Sequence, residues 1–186
     1  MTEYKDYFSY LKNRSRLGLV YRKYWLYPRI CRYLSGRVVD IGCGLGDFLN
    51  YRPNTVGIDI NPDAVAWCKS QGLNVTLMSD GYLPFEDNSF DGVVLDNVLE
   101  HIEAPAILLS EISRVLKTGG TLLVGVPGVK GYATDPDHKI FYDETKLINR
   151  LNKSGFVNSQ IFHMPIGLKM FDQYMRQYCI YGVFIN

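Results

Sequence analysis

Cysteine is sparse in this sequence and long apolar runs are missing. The four cysteines among 186 residues, at positions 31, 43, 68 and 179, form no CxxC pair and no Cys/His group at metal-ligand spacing. That excludes a disulfide framework, gives no expectation of a metal, and fits reduced intracellular thiols. No apolar stretch approaches the roughly 18 residues of a membrane-spanning helix. The opening Met1-Thr2-Glu3-Tyr4-Lys5-Asp6 lacks the basic start and apolar core of a secretory signal, so a cytoplasmic chain without a transmembrane segment is expected. Net charge is only +1, with 47% hydrophobic and 21% charged residues, which argues against disorder. A chain of this length buries most of its apolar surface unaided, as one domain.

The charge is unevenly placed. Residues 1–37 hold nine Lys/Arg against two Asp/Glu, together with Tyr10, Tyr21, Tyr24 and Trp25. Such a mixture suits nucleic acid, an anionic membrane face or a phosphorylated substrate. The plainer reading is preferred: an amphipathic helical segment, 1–37, whose aromatics pack on the following domain and whose cations are solvated.

From residue 38 onward, short β-branched runs alternate with stretches of helical spacing, the pattern of a parallel sheet with crossover helices. Strands are predicted at Val38 to Ile41, Thr55 to Ile60, Asn74 to Met78, Asp91 to Val98 and Thr121 to Pro127. Helices are predicted over Pro62 to Gln71, after Asn61 as N-cap, and over Ala104 to Lys117, ended by Gly119 and Gly120. A further helix, Asp143 to Ser154, precedes strands Ser159 to Pro165 and Tyr178 to Ile185. The short connection between those two strands favours antiparallel pairing over a crossover.

The run Val38-Val39-Asp40-Ile41-Gly42-Cys43-Gly44-Leu45-Gly46 reads as strand, tight turn and helix start. Glycine supplies positive φ and leaves no Cβ between backbone and ligand, at the strand end where open α/β sheets bind. The next strand ends in Asp59, seventeen residues past Gly42, where a carboxylate can accept hydrogen bonds from two ribose hydroxyls. The third glycine of the pyrophosphate-binding GxGxxG pattern is replaced by Asp47. A dinucleotide is thereby disfavoured, and a nucleoside with a cationic amino-acid end fits better.

These pieces, VVDIGCGLGDFL (38–49), VGIDINPDAV (56–65), LPFEDNSFDGVVLDNVLEHI (83–102), LKTGGTLLVGVP (116–127) and DHKIFYDETKLINRLNKSGF (137–156), together resemble class I S-adenosylmethionine-dependent methyltransferases of the small type-11 kind. The resemblance implies a three-layer α/β sandwich, with a doubly wound, seven-stranded, mostly parallel sheet whose last strand is antiparallel, over residues 38–186. It implies S-adenosylmethionine as methyl donor and S-adenosylhomocysteine as product. Cys43 with Gly42, Gly44 and Gly46 would line the methionine and ribose side, with Asp40 near the amino group. Asp59 would hold the ribose and Ile60 would pack on the adenine. Asp80, or Ser79 at the usual spacing, with Gly81 beside them, would meet the adenine amino group; Asp96 and Asn97 would lie under the methionine portion. Phe85 and Phe90 are expected in the core.

Methyl transfer from a sulfonium chiefly needs alignment, and a hydroxyl acceptor adds a need for a base. His101, His138 and Tyr142 are the catalytic candidates, with Glu100 and Asp96 on the same segments; His163 reads as an ordinary strand residue. The basic segment is expected to close as a lid, with Tyr10, Arg14 and Tyr21 as pocket contacts. Its arginines point to an anionic small-molecule acceptor such as a sugar phosphate. No Asn-Pro-Pro-Tyr/Phe motif follows the fourth strand, where Asp96-Asn97-Val98-Leu99 stands; nucleic acid is not expected, and a homodimer is compatible with the sequence. The competing readings are a non-catalytic protein on the same fold and a nicotinamide-dependent oxidoreductase.

Overall fold

A computed structural model describes residues 8–9, 11–79 and 81–186. Tyr10 and Asp80, singled out above, lie outside the described residues. Seven strands, β1 Val38–Ile41, β2 Thr55–Asp59, β3 Val75–Leu77, β4 Phe90–Asp96, β5 Leu116–Pro127, β6 Val157–Met164 and β7 Cys179–Ile185, form one sheet in the order β3-β2-β1-β4-β5-β7-β6. The first five pair in parallel, and β7 runs antiparallel to both β5 and β6, as expected. The central strands are apolar on both faces because helices cover both.

Alternation along the strands splits the core. Val39, Ile41, Val93, Leu95, Leu122 and Val124 face helices α5 (Ala106–Val115) and α7 (Glu144–Asn152). Val38, Val94, Leu123 and Val183 face Leu26, Tyr27 and Ile30 of the N-terminal segment. That segment runs as α1 (Arg16–Tyr21), a π turn (Arg22–Leu26) and α2 (Tyr27–Ile30). Its aromatics divide: Tyr27 is buried, whereas Tyr24 and Trp25 are 67% and 62% exposed, against the expectation that they pack on the domain. Its cations divide too, since Arg14 and Arg22 are ion-paired rather than solvated.

Helices α3 (Asp47–Tyr51) and α4 (Pro62–Ser70) flank β2, and the short α6 (Val129–Tyr132) follows β5. The Asn61 side chain caps α4, accepting from the N–H groups of Asp63 and Ala64 at 2.9 and 3.2 Å. Asn61→Ala should lower stability by about 1–2 kcal/mol, read from the urea midpoint at unchanged slope. Helix α5 stops at Val115, two residues short of the predicted end. Leu116 adopts extended backbone and pairs with Phe90, staying fully buried as the first residue of β5; the strand preference of its partner overrides the helical spacing. Phe85 packs edge-on against buried Phe90 at 4.9 Å, in the core as expected.

Candidate active site

The turn after β1 is tied down by backbone bonds. The Gly42 and Cys43 N–H groups donate to the Ile58 carbonyl at 2.8 and 3.2 Å, and Gly46 N–H donates to the Cys43 carbonyl at 2.9 Å. Gly42, Gly44 and Gly46 all have positive φ, of 74°, 53° and 77°. Their surroundings differ. A Cβ on Gly42 would meet Val98 at 2.5 Å and one on Gly46 would run into Leu73, so internal packing already demands glycine there. A Cβ on Gly44 would reach nothing closer than Leu11 at 3.5 Å, so this residue carries the open approach. Cys43 differs from the sequence expectation: its buried sulfur packs below β2 and beside Cys68, which leaves only its backbone for a ligand. Its hydrogen bond with Cys68, and then burial, hold the thiol protonated.

Asp59 ends β2 and is 6% exposed. One carboxylate oxygen accepts from Gly44 N–H at 2.8 Å and the other from Asn61 N–H at 2.8 Å. Burial raises its pKa while these backbone donors pull it back. Each oxygen retains a second lone pair for an incoming hydroxyl. Beside it Ile60 is 51% exposed, a large apolar side chain left uncovered at the strand end where a flat base would stack. Ser79 bridges to Tyr82 around Gly81, whose φ is 76°.

Asp40 and Asp96 complete an acidic rim, because β2, β1 and β4 are adjacent and each contributes one carboxylate near its carboxyl end. Asp40, 6% exposed, has its pKa raised by burial and then by Asp96 and Asp59. Asp96 accepts from Tyr181 Oη at 2.8 Å and from Asn97 Nδ2 at 3.0 Å, and pairs with Arg22 at 3.2 Å. Asn97 holds a left-handed backbone, φ 55°, that carries the chain away from β4. Arg14 pairs with Asp47 at 2.8 Å. Two arginines of the segment assigned by sequence to an anionic acceptor, Arg14 and Arg22, are thus held by Asp47 and Asp96, and Arg22, which the sequence reading did not single out, pairs with the acidic rim itself. Tyr21 lies in this neighbourhood, its hydroxyl pKa raised by burial and by the Cys179 and Asp96 charges.

The catalytic candidates separate. Tyr142 is 2% exposed and packs in the main core with Leu147, Leu151 and Phe156, and it also lines a cavity with Phe141, Lys146 and Arg150. His101 and His138 come together, with ring centroids 4.7 Å apart, beside a fully buried Glu100. Burial pushes the Glu100 carboxyl up to about 8. His163 stays on β6, held between the Tyr178 hydroxyl at 2.6 Å and Glu144 at 3.2 Å, a structural role.

The acidic rim, the open glycine and the uncovered Ile60 fit a nucleoside with a cationic tail. Comparison with known proteins agrees. A methyltransferase domain model of the type-11 class matches residues 39–124. A protein of Mycolicibacterium smegmatis named probable S-adenosylmethionine-dependent methyltransferase is 28% identical over 83% of this chain and 65% of its own length. The protein named probable tRNA methyltransferase 9B of Mus musculus is 32% identical over 54% of this chain and 25% of its own length. The solved complex between the Trm112 methyltransferase activator and a methyltransferase of Haloferax volcanii shares the fold, with a TM-score of 0.77 at 17% identity over 100% of this chain and 98% of that one. The matches span between 25% and 66% of the length of the first curated relatives. On its domain match, its strand order and its motifs, the chain carries a methyltransferase domain of type 11, matched over residues 39–124, on the class I methyltransferase fold.

Proposed function

We propose that this chain transfers a methyl group from S-adenosylmethionine to a nucleophilic oxygen or nitrogen of a small anionic acceptor. The observation that carries the first half is the three-carboxylate rim of Asp40, Asp59 and Asp96 around an open glycine turn. When bound, the donor supplies an already activated methyl on a sulfonium, so the chain has to orient, exclude water and handle one proton. Asp59 grips the ribose, Ile60 supports the base, and the negative rim favours the cationic tail. Asp96, fixed by Arg22, Tyr181 and Asn97, gives that end of the pocket a rigid wall. Glu100, His101 and His138 sit past the ends of β4 and β5, on the side where the acceptor proton would leave.

The anionic character of the acceptor rests on a different set of cations from the one the sequence suggested. A cavity of about 310 Å³ is lined by Lys139, Lys146, Arg150 and Lys153 with Phe141, directly after His138. Such a basic cleft draws phosphate.

The same cleft, with relatives named as a probable tRNA methyltransferase and a tRNA U34 carboxymethyltransferase, supports tRNA as a second reading beside the expectation of no nucleic acid. One experiment separates the readings: S-adenosylhomocysteine release measured with a neutral alcohol, its phosphate ester and unmodified tRNA. Faster turnover of the ester supports the proposal. Equal rates for ester and alcohol remove the anionic requirement, and turnover of tRNA alone replaces the small molecule.

A further inference from the structure

Three potential metal ligands, Glu100, His101 and His138, meet in one corner of the structure. Glu100 is fully buried, and among the described residues neither of its carboxyl oxygens has a hydrogen-bond partner. His138 Nε2 lies 3.8 Å from Glu100 Oε1 and 3.9 Å from Asp135 Oδ2, both too long for hydrogen bonds. Tautomers sharpen the picture. His138 Nδ1 is 2.9 Å from the Tyr132 carbonyl and His101 Nδ1 is 3.3 Å from the Asp137 carbonyl. A carbonyl only accepts, so in these contacts both Nδ1 atoms carry the proton and both Nε2 atoms present lone pairs. A buried carboxyl group left unpartnered, beside imidazoles each oriented through its other nitrogen by a backbone carbonyl, is a polar deficit that a bound metal ion would satisfy.

We infer that Glu100, His101 and His138 form a divalent transition-metal site, with the Asp135 carboxylate 3.9 Å from His138 Nε2 beside it. Their ligand atoms lie within 4.8 Å of one another. Coordination at about 2.0–2.2 Å would need them to close by roughly an ångström, which side-chain torsions supply. Two imidazoles and a carboxylate suit Zn²⁺, Mn²⁺ or Fe²⁺ over Mg²⁺ or Ca²⁺, which prefer oxygen alone. Spacing along the sequence hides the site, because His138 arrives on the loop after β5, 37 residues beyond His101.

Three protein ligands leave coordination positions for water or an acceptor oxygen; this part rests on the methyl-transfer reading. An acceptor O–H bound there loses its proton to solvent, and the oxygen pair then forms the C–O bond as the C–S bond breaks with its electrons on sulfur.

The test is calorimetric titration of chelator-treated chain with ZnCl₂, repeated with MnCl₂, on the wild type, Glu100→Gln and His138→Ala. One Zn²⁺ per wild-type chain, weakened at least a hundredfold in both variants, is the expected result. Absence of binding tighter than about 1 mM for either ion overturns the site. Equal Zn²⁺ affinity in Glu100→Gln also overturns it, by placing the ion on the Cys43 and Cys68 thiols or elsewhere. S-adenosylhomocysteine is titrated in parallel. Loss of metal in Glu100→Gln with nucleoside affinity within threefold of wild type locates the ion apart from the cofactor, whereas a wild type that binds Zn²⁺ and no nucleoside sinks the methyl-transfer reading and leaves the metal site standing.

Discussion

Asp59→Ala should weaken S-adenosylhomocysteine binding at least a hundredfold while the chain stays folded. Hydrogen bonds to a charged group are worth about 1.5–3 kcal/mol each, and two ribose hydroxyls would lose their common acceptor, which sets the hundredfold floor. The real loss should exceed it, because the same carboxylate holds the Gly44 and Asn61 N–H groups and so ties the glycine turn to the start of α4. Stability should fall much less, since burial already opposes the charged form of Asp59 and its removal relieves that cost. Asp59→Asn, keeping one carbonyl oxygen but no charge, should fall between wild type and alanine. Calorimetric titration with S-adenosylhomocysteine, beside circular dichroism of each variant, reads both quantities. A folded alanine variant binding within threefold of wild type would remove the ribose role and with it the basis for a nucleoside cofactor.

The donor half of the site was legible because its signals are local. A strand, three glycines and a carboxylate on the next strand lie within about twenty residues, and each has one plain backbone consequence: Gly44 opens an approach, and Asp59 reaches back to it. The strand positions and the antiparallel last pairing were legible for the same reason, as periodicity and connection length are read one segment at a time. What stayed hidden is what depends on contacts far apart in sequence. Arg22 meets Asp96 across 74 residues, and nothing in a basic, aromatic-rich segment distinguishes it from Arg16 or Lys23, which stay exposed. Tyr142 has two sides that sequence position does not separate: it is buried in the core ahead of α7 and it lines the basic cavity. Glu100 carries no sequence mark of burial beside a histidine from another loop. Leu116 shows the opposite error, a local helical spacing that a strand partner overrules.

Arg22→Met should cost about 1–3 kcal/mol of stability, and the cost should grow with pH. Removing one partner of a buried ion pair strands the other charge, which in full burial costs about 3–5 kcal/mol. Here the Arg22 side chain is 34% exposed, so solvent screening reduces that figure. The pH sign follows from Asp40. Its folded pKa lies above the ordinary carboxylate value because of burial and then of Asp96 and Asp59, and Arg22 acts against that shift. A carboxyl that binds its proton more tightly in the folded chain than in the unfolded one makes stability decline as pH rises from the unfolded pKa through the folded one. Without Arg22 the Asp40 pKa climbs further, so the window of declining stability widens upward. The penalty for Arg22→Met should therefore be small near pH 2, below the unfolded pKa, where Asp40 is protonated in both states, and larger at pH 8 than at pH 5. Urea midpoints for both chains at the three pH values measure it, and a penalty independent of pH would mean that Arg22 does not compensate the acidic rim. The same variant bears on ligand binding, because the amino-acid tail of the proposed donor brings a carboxylate as well as an ammonium. The rim attracts the ammonium and Arg22 the carboxylate, so S-adenosylhomocysteine affinity should drop about tenfold in Arg22→Met, one charged hydrogen bond's worth. A variant that loses stability but binds at wild-type strength would assign Arg22 to the fold alone and leave the tail's carboxylate to another group.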